Sequence, residues 1–261
     1  MNELDFAVDL AIDAGAILTH YFRTGLAVEA KGWADPVTEA DRAAETLIQD
    51  RIARAYPNDG IYGEEHGRAG ASASARLWVV DPLDGTANFA GGMPVFAVCL
   101  TLIDATGPVM NVTYDPMRGE AFTATRGGGA RLNGRVLRVD DVPDLSGALV
   151  HISFPRDRRQ WRQGLEMVRL ITEVAPHARN IGSSALAQTY VAAGRLHAHA
   201  RVSVGDFDIV GGNLLIEEAG GITTSLDGGA YGDGTRGLLA ASPIVHQRLL
   251  AMGLARTLDI D

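Results

Sequence analysis

The sequence predicts an α+β fold in which helices and sheets are stacked in layers. Three observations predict it: two amphipathic helical stretches come first, short strands broken by turn residues follow, and strands then alternate with helices to the end. That order suits layers better than a barrel. The chain has 261 residues, 46% of them apolar, enough for a continuous core as one large domain or two tightly joined halves.

The first helix is expected over Leu4 to Phe22, where Leu4, Ala7, Val8, Ala11, Ile12, Gly15 and Leu18 fall on one face. A second follows Thr38, a helix-capping residue with Asp41 in a capping-box-like position three residues on, and its apolar face is Ala44, Leu47, Ile48 and Ile52. Gly63-Glu64-Glu65 ends a short strand, and another, Leu77 to Val80, runs directly into Asp81-Pro82-Leu83-Asp84-Gly85-Thr86. From Phe96 to Val139 strand signals alternate with turns, including Gly127-Gly128-Gly129 and an Asn133-Gly134 hairpin, the pattern of an antiparallel meander. A strand at Ala148 to Phe154 leads to a helix from about Arg158 to Val174, then strand, helix, strand and helix. The soft division near Asp140 to Gly147 separates residues 1–143 from residues 144–261.

Composition narrows the function. A formal net charge of -9 argues against non-specific nucleic-acid binding, which needs a basic footprint. The N-terminus carries acids early and no basic stretch ahead of an apolar one, so neither a secretion signal nor a membrane span is expected, and the cytoplasm is the expected location. The single cysteine, Cys99, lies in an apolar run and reads as a core thiol, without a disulfide framework or thiolate metal cluster.

The chemistry concentrates at Asp81 and Asp84. They lie three apart beyond an apolar strand, where Pro82 fixes φ and Gly85 permits unusual backbone angles. The segment is expected to be a tight turn aiming two carboxylates and the Leu83 carbonyl at one point. Hard oxygen ligands at one point describe a magnesium site; the competing reading is a turn whose Asp side chains cap backbone amides. Glu64 and Glu65 end one element and Asp208 opens another, with a helix start as the plainer role for Asp208.

Together, Asp35-Pro36-Val37-Thr38-Glu39-Ala40-Asp41, Gly63-Glu64-Glu65, Trp78 through Phe89, Gly182-Ser183-Ser184-Ala185 and Asp208 through Gly221 resemble the inositol monophosphatase family, in family order over most of the chain. The resemblance implies an αβαβα sandwich of the sugar-phosphatase type, usually a homodimer, with lithium-sensitive, magnesium-dependent activity on a small phosphate ester. It implies that Glu64, Asp81 and the Leu83 carbonyl hold one Mg2+, that Asp81, Asp84 and Asp208 hold a second, and that Glu64 assists a weaker third. Glu65 is implied as a supporting residue or alternative ligand. Thr86 and Asp41 are implied as the pair that takes a proton from the attacking water, with the backbone amides of Gly85 and Thr86 cradling the phosphate. Bound cations would also explain how an acidic protein accepts an anionic substrate.

The pattern departs from the family at the distal side of the substrate. Gly182, Ser183 and Ser184 fall where the family lines its pocket, and Arg201 falls where inositol-cleaving relatives carry an acid that accepts from sugar hydroxyls. Arginine donates and cannot accept. Inositol monophosphate remains the expected substrate, with fructose 1,6-bisphosphate, histidinol phosphate and nucleotide 3'-phosphates as alternatives, and a non-catalytic binding protein as the reading from another class. Histidinol phosphate carries an ammonium that Arg201 would repel. Phe207 replaces a commoner tryptophan. His197 and His199 share a strand face but lack a third ligand, Gly127 to Gly129 lacks the lysine of a P-loop, and Arg156, Arg158 and Arg159 beside Asp157 read as a solvated helix start. Lys31 is a weaker candidate for a substrate contact.

Overall fold

The computed structural model describes residues 2–24, 28–32, 35–71, 75–155, 157–203, 206–231 and 235–260; at residues 28–32, 35–38 and 206–209 the description is confined to the backbone. Arg156 and Trp33 lie outside the described residues, as does the side chain of Lys31.

Helix α1 (Glu3–Thr24) buries Phe6, Ala7, Leu10, Ala11, Ala14, Gly15 and Leu18, so the expected face is turned slightly: Ala7, Ala11, Gly15 and Leu18 are inside, Leu4 and Val8 are half-buried, and Ile12 is exposed. Its small residues allow close packing: a Cβ on Gly15 would come within 2.7 Å of the Tyr114 ring. Strands β1 (Val28–Gly32) and β2 (Asp35–Thr38) form an antiparallel pair, and α2 (Glu39–Ala55) begins directly after Thr38. Strands β3 (Gly60–Gly63), β4 (Gly67–Gly70) and β5 (Leu77–Asp84) precede the short helix α3 (Thr86–Ala90). The meander follows as β6 (Ala97–Asp104), β7 (Gly107–Asp115), β8 (Glu120–Thr125), β9 (Gly129–Leu132) and β10 (Arg135–Val136). Asn133 and Gly134 both take positive φ, 47° and 81°, as a two-residue hairpin requires. Among the described residues these strands make an eight-stranded sheet in the order β10-β9-β8-β7-β6-β5-β3-β4.

A second sheet collects β11 (Leu149–Ser153), β12 (His177–Arg179), β13 (Ala198–Arg201), β14 (Ile222–Thr224) and β15 (Leu238–Ala241) in the order β12-β11-β13-β15-β14. Helices α4 (Trp161–Thr172), α5 (Ser184–Ala192), α6 (Asp206–Glu218) and α7 (Pro243–Ala251) complete this part. The helix expected from Arg158 is a 3-10 turn over Arg158–Gln160 with α4 starting at Trp161, because Asp157 caps the turn through the Arg159 amide. The expected alternation also breaks near the end, where β15 runs antiparallel to both β13 and β14.

Apolar clusters hold the layers together. Leu10, Leu18, Ile48, Ile52, Trp78, Leu100 and Leu102 join α1 and α2 to the first sheet. Phe122, Val191, Leu214, Leu215 and Leu238 place α5 and α6 between the two sheets, and Val150, Ile152, Met167, Leu170, Val245 and Leu249 seat α4 and α7 on the outer face of the second. The result is the layered αβαβα sandwich that the sequence implies. Among the described residues, no helix is long and apolar enough to cross a membrane.

One polar pair lies inside the second sheet. The parallel register sets His151 of β11 beside His199 of β13, with their Nδ1 atoms 2.7 Å apart. Two neutral imidazoles can share that bond only if one ring carries its proton on Nδ1 and the other on Nε2. Both Nε2 atoms are buried without a hydrogen-bond partner among the described residues. The sequence pairing of His197 with His199 is therefore replaced: His197 Nδ1 accepts from the Leu149 amide instead. Burial, with Arg201 nearby, pushes His151 down to about 3, and burial next to His151 holds His199 well below its ordinary range. A folded-state pKa below the unfolded value means that the unfolded chain binds more protons, so stability falls as pH drops below the unfolded value of 6.5. Each ring contributes a slope of up to about 1.4 kcal/mol per pH unit. Urea unfolding between pH 7.5 and 5 should show this loss, and it should flatten in a His151→Phe/His199→Phe double variant; parallel slopes in the two proteins would exclude the pair as its source.

Candidate functional site

The site is built around β5. Asp81 to Asp84, expected as a tight turn, is the last stretch of the strand: Asp81 pairs with Cys99 and Asp84 with Ala97, so one extra residue bulges out between them. Turn chemistry is confined to Gly85, whose φ of 95° redirects the chain into α3 and whose missing Cβ would stand 2.8 Å from the Val95 carbonyl. Asp81 is 2% exposed and accepts the Leu83 amide at 2.9 Å. Asp84 is 5% exposed and sits at the start of α5, accepting from Ser183 Oγ, the Ala185 amide at 3.0 Å and the Ser184 amide at 3.3 Å. An anion is favoured there by the orphan amides and dipole of the helix start. Ser183 also receives the Leu186 amide and so caps α5.

Thr86 opens α3 and Asp41 lies in the first turn of α2, 2% exposed, so Asp41 faces inward beyond any capping role. Thr86 Oγ1 is 3.5 Å from Asp41 Oδ1 and 3.0 Å from the Leu83 carbonyl. With one proton to give, the hydroxyl bonds most closely to Leu83.

Glu64 follows β3, where Gly63 pairs with Val80 in parallel, and its amide donates to the Val80 carbonyl at 3.1 Å. That register sets Glu64 beside Asp81. The following turn is held from α2 by Glu45, a residue the sequence reading missed, because a glutamate on an amphipathic helix ordinarily faces water. Its carboxylate accepts the Glu65 and His66 amides at 2.8 Å each. Burial raises the Glu45 pKa, and the two amides partly offset that.

The loop before α5 is tied to this cluster by Asn88, whose Nδ2 donates to the Val95 and Ile181 carbonyls, each at 2.8 Å. Arg201, at the end of β13, donates through Nε to the Ser203 carbonyl and through Nη1 to Ser184 Oγ at 3.3 Å. It stands beside the residue whose amide meets Asp84. Asp208 belongs to α6, whose start lies against the first sheet, since a Cβ on Gly211 would collide with Asn111 and Thr101; its side chain, like that of Phe207, lies outside the described residues.

The described donors are hard: two buried carboxylates, a carbonyl and Glu64 nearby suit a cation that prefers oxygen. Concentrated buried negative charge also favours a bound cation. Among the described residues, no three His, Cys, Asp or Glu side chains are arranged to hold a metal ion, and Asp208 is not among those that can be assessed.

A model described as the inositol monophosphatase family matches residues 2–259. The chain belongs to that family. The chain is 40% identical over 252 residues to Nus factor SuhB of Salmonella typhimurium, spanning 95% of this chain and 94% of that one. It is 36% identical over 251 residues to an inositol-1-monophosphatase of Mesorhizobium japonicum, with 95% and 94% covered. The fold matches the crystal structure of the extragenic suppressor protein suhB from Bartonella henselae with a TM-score of 0.91 at 32% identity, covering 95% of this chain and 97% of that one. Membership supports a phosphatase, in a family that is generally metal-dependent.

The Asn88 bridge gives a direct test of how the loop before α5 is held. Asn88→Ala removes both donors and leaves two carbonyls unsatisfied, so it should lower stability by about 1–3 kcal/mol in urea unfolding. An unchanged midpoint and slope would show that the loop is held by Asp84 without it.

Proposed function

We propose that the protein is a magnesium-dependent phosphomonoesterase acting on a small polyol or sugar phosphate, with inositol monophosphate as the first candidate and a sugar bisphosphate close behind. The observation that carries the proposal is the bulged end of β5, where Asp81 and Asp84 are both buried and the Leu83 carbonyl accepts from Thr86. Glu64, Asp81, Asp84, Asp208 and the Leu83 carbonyl would hold two to three Mg2+ ions. When bound, such ions acidify water and neutralise charge on phosphoryl oxygens during in-line displacement.

The chain's own groups supply the rest. Thr86, placed between Leu83 and Asp41, orients the attacking water and passes its proton toward the Asp41 carboxylate. The Gly85 and Thr86 amides cradle the phosphate, Gly182 and Ser184 line the pocket, and Ser183 holds Asp84 in place. Glu65 supports the Glu64 turn through its amide. Arg201, whose guanidinium donates to Ser184 Oγ next to the residue that meets Asp84, carries the charge and donor geometry that suit a second phosphate or carboxylate. A cytoplasmic homodimer is part of the same reading.

A second reading is favoured by relatives named Nus factor SuhB: a binding role on this fold, with or without turnover. Magnesium-dependent phosphate release from inositol 1-phosphate and fructose 1,6-bisphosphate separates the two. Asp84→Asn and Asp208→Asn should each abolish release while circular dichroism is unchanged; turnover within about threefold of wild type at saturating magnesium would remove that residue from the mechanism. Arg201→Glu should weaken bisphosphate hydrolysis by a further ten- to hundredfold or so relative to inositol phosphate, the value of a charge-assisted contact of roughly 1.5 to 3 kcal/mol. An unchanged ratio of catalytic efficiencies would take Arg201 out of substrate selection.

A further inference from the structure

Glu45 is 0% exposed, yet among the described residues its charged neighbours are His66 and Glu65 rather than a lysine or arginine. Its carboxylate accepts from the Glu65 and His66 amides at 2.8 Å and from Gln49 Nε2 at 2.9 Å, with the His66 ring 3.6 Å away. Two of these donors belong to the two residues immediately after Glu64. The amide of Glu64 itself is fixed from the other side, by the Val80 carbonyl of β5. Glu64 is thus clamped between the strand that carries Asp81 and the helix that carries Asp41. Asp41 and Glu45 lie four residues apart, which puts them on one face of α2 in successive turns.

Gly63 shows how tight the clamp is. Its φ lies outside the left-handed region, so no backbone constraint demands glycine. A Cβ there would collide with Glu45 Oε1, with Gln49 Nε2 only 2.9 Å away. The carboxylate occupies the space where a side chain at position 63 would be. A buried charge that only needed neutralising could be replaced by an apolar residue at little cost, whereas one that displaces a side chain to reach two consecutive amides sets the backbone that holds them.

We infer that Glu45 is a positioning residue for Glu64, aiming that carboxylate at the Asp81–Asp84 bulge through the amides of Glu65 and His66. The inference rests on the proposed role of Glu64 in holding magnesium. Glu45→Gln keeps the shape but opposes an amide NH2 to one of the two backbone donors. The test is a cycle of wild type, Glu45→Gln, Glu64→Gln and the double variant, read by the magnesium concentration for half-maximal phosphate release and by the magnesium-induced rise in melting temperature. Each single change should raise the half-saturating concentration by about tenfold and shrink the melting shift, as supporting residues of metal sites do. The double variant should be no worse than Glu64→Gln alone, because Glu45 acts through Glu64. A purely structural role predicts additive effects, and additivity would overturn the inference. So would a normal magnesium requirement in Glu45→Gln when Glu64→Gln is impaired. If Glu64→Gln itself is unimpaired, the role of Glu64 fails and the inference falls with it. Should Glu45→Gln not fold, Gly63→Ala, which pushes on the same carboxylate from β3, takes its place in the cycle with the same expected non-additivity, and additive effects there overturn the inference equally.

Discussion

The Asp84 carboxylate at the start of α5 is the contact on which the arrangement of the site depends. Asp84 belongs to the first sheet, while Ser183, Ser184 and Ala185 belong to the helix layer between the sheets, about a hundred residues further along the chain. One side chain therefore does two things. It satisfies donors that every helix start leaves over, and it fixes the loop before α5 against the strand that presents Asp81. Arg201 then follows from the second sheet through Ser184, and Asn88 repeats the tie by gripping the Ile181 carbonyl. The two sheets meet at the site through helix-start chemistry.

The two sheets also differ in how they handle buried polar groups. Around β5 and α2 the buried groups are acids, Asp41, Glu45, Asp81 and Asp84, each receiving donors from neighbouring backbone or hydroxyl groups. Within the second sheet the buried pair is two histidines kept uncharged by desolvation. The acids of the site lie near a cation of the second sheet, since Ser184 donates its amide to Asp84 and accepts from Arg201 at its hydroxyl.

Much of this was legible in the sequence because it rests on local periodicity. The α1 helix, the Asn133-Gly134 hairpin and the meander all follow from patterns within a few residues. The motifs around Glu64, Asp81 and Asp84 also identified the family. What remained hidden depended on partners far apart in the chain. His151 and His199 are 48 residues apart and meet only through strand register. The bulge between Asp81 and Asp84 depends on how β6 pairs with β5, whereas Pro82 and Gly85 alone suggested a turn. Glu45 was missed because an acid on an amphipathic helix reads as solvated unless its donors are known.

The motif glycines show why local reading stops where it does. Gly85 is glycine for a reason visible in its own backbone, a φ of 95° at the exit from β5. A second reason adds to the first at Gly85, with the Val95 carbonyl 2.8 Å from where a Cβ would stand, and at Gly182, with a φ of 73° and the Asn88 carboxamide oxygen 2.6 Å from that point. Gly63 has only the second kind, since Glu45 fills its side-chain space while its backbone is ordinary. The same residue type in one motif set thus records two different constraints, a local one that a turn pattern reveals and a distant one that belongs to the partner. Close approach of another chain segment leaves no signature at the glycine beyond the absence of a side chain. The three-dimensional partner must be known before Gly63-Glu64-Glu65 can be read as a clamp as well as a run of acids.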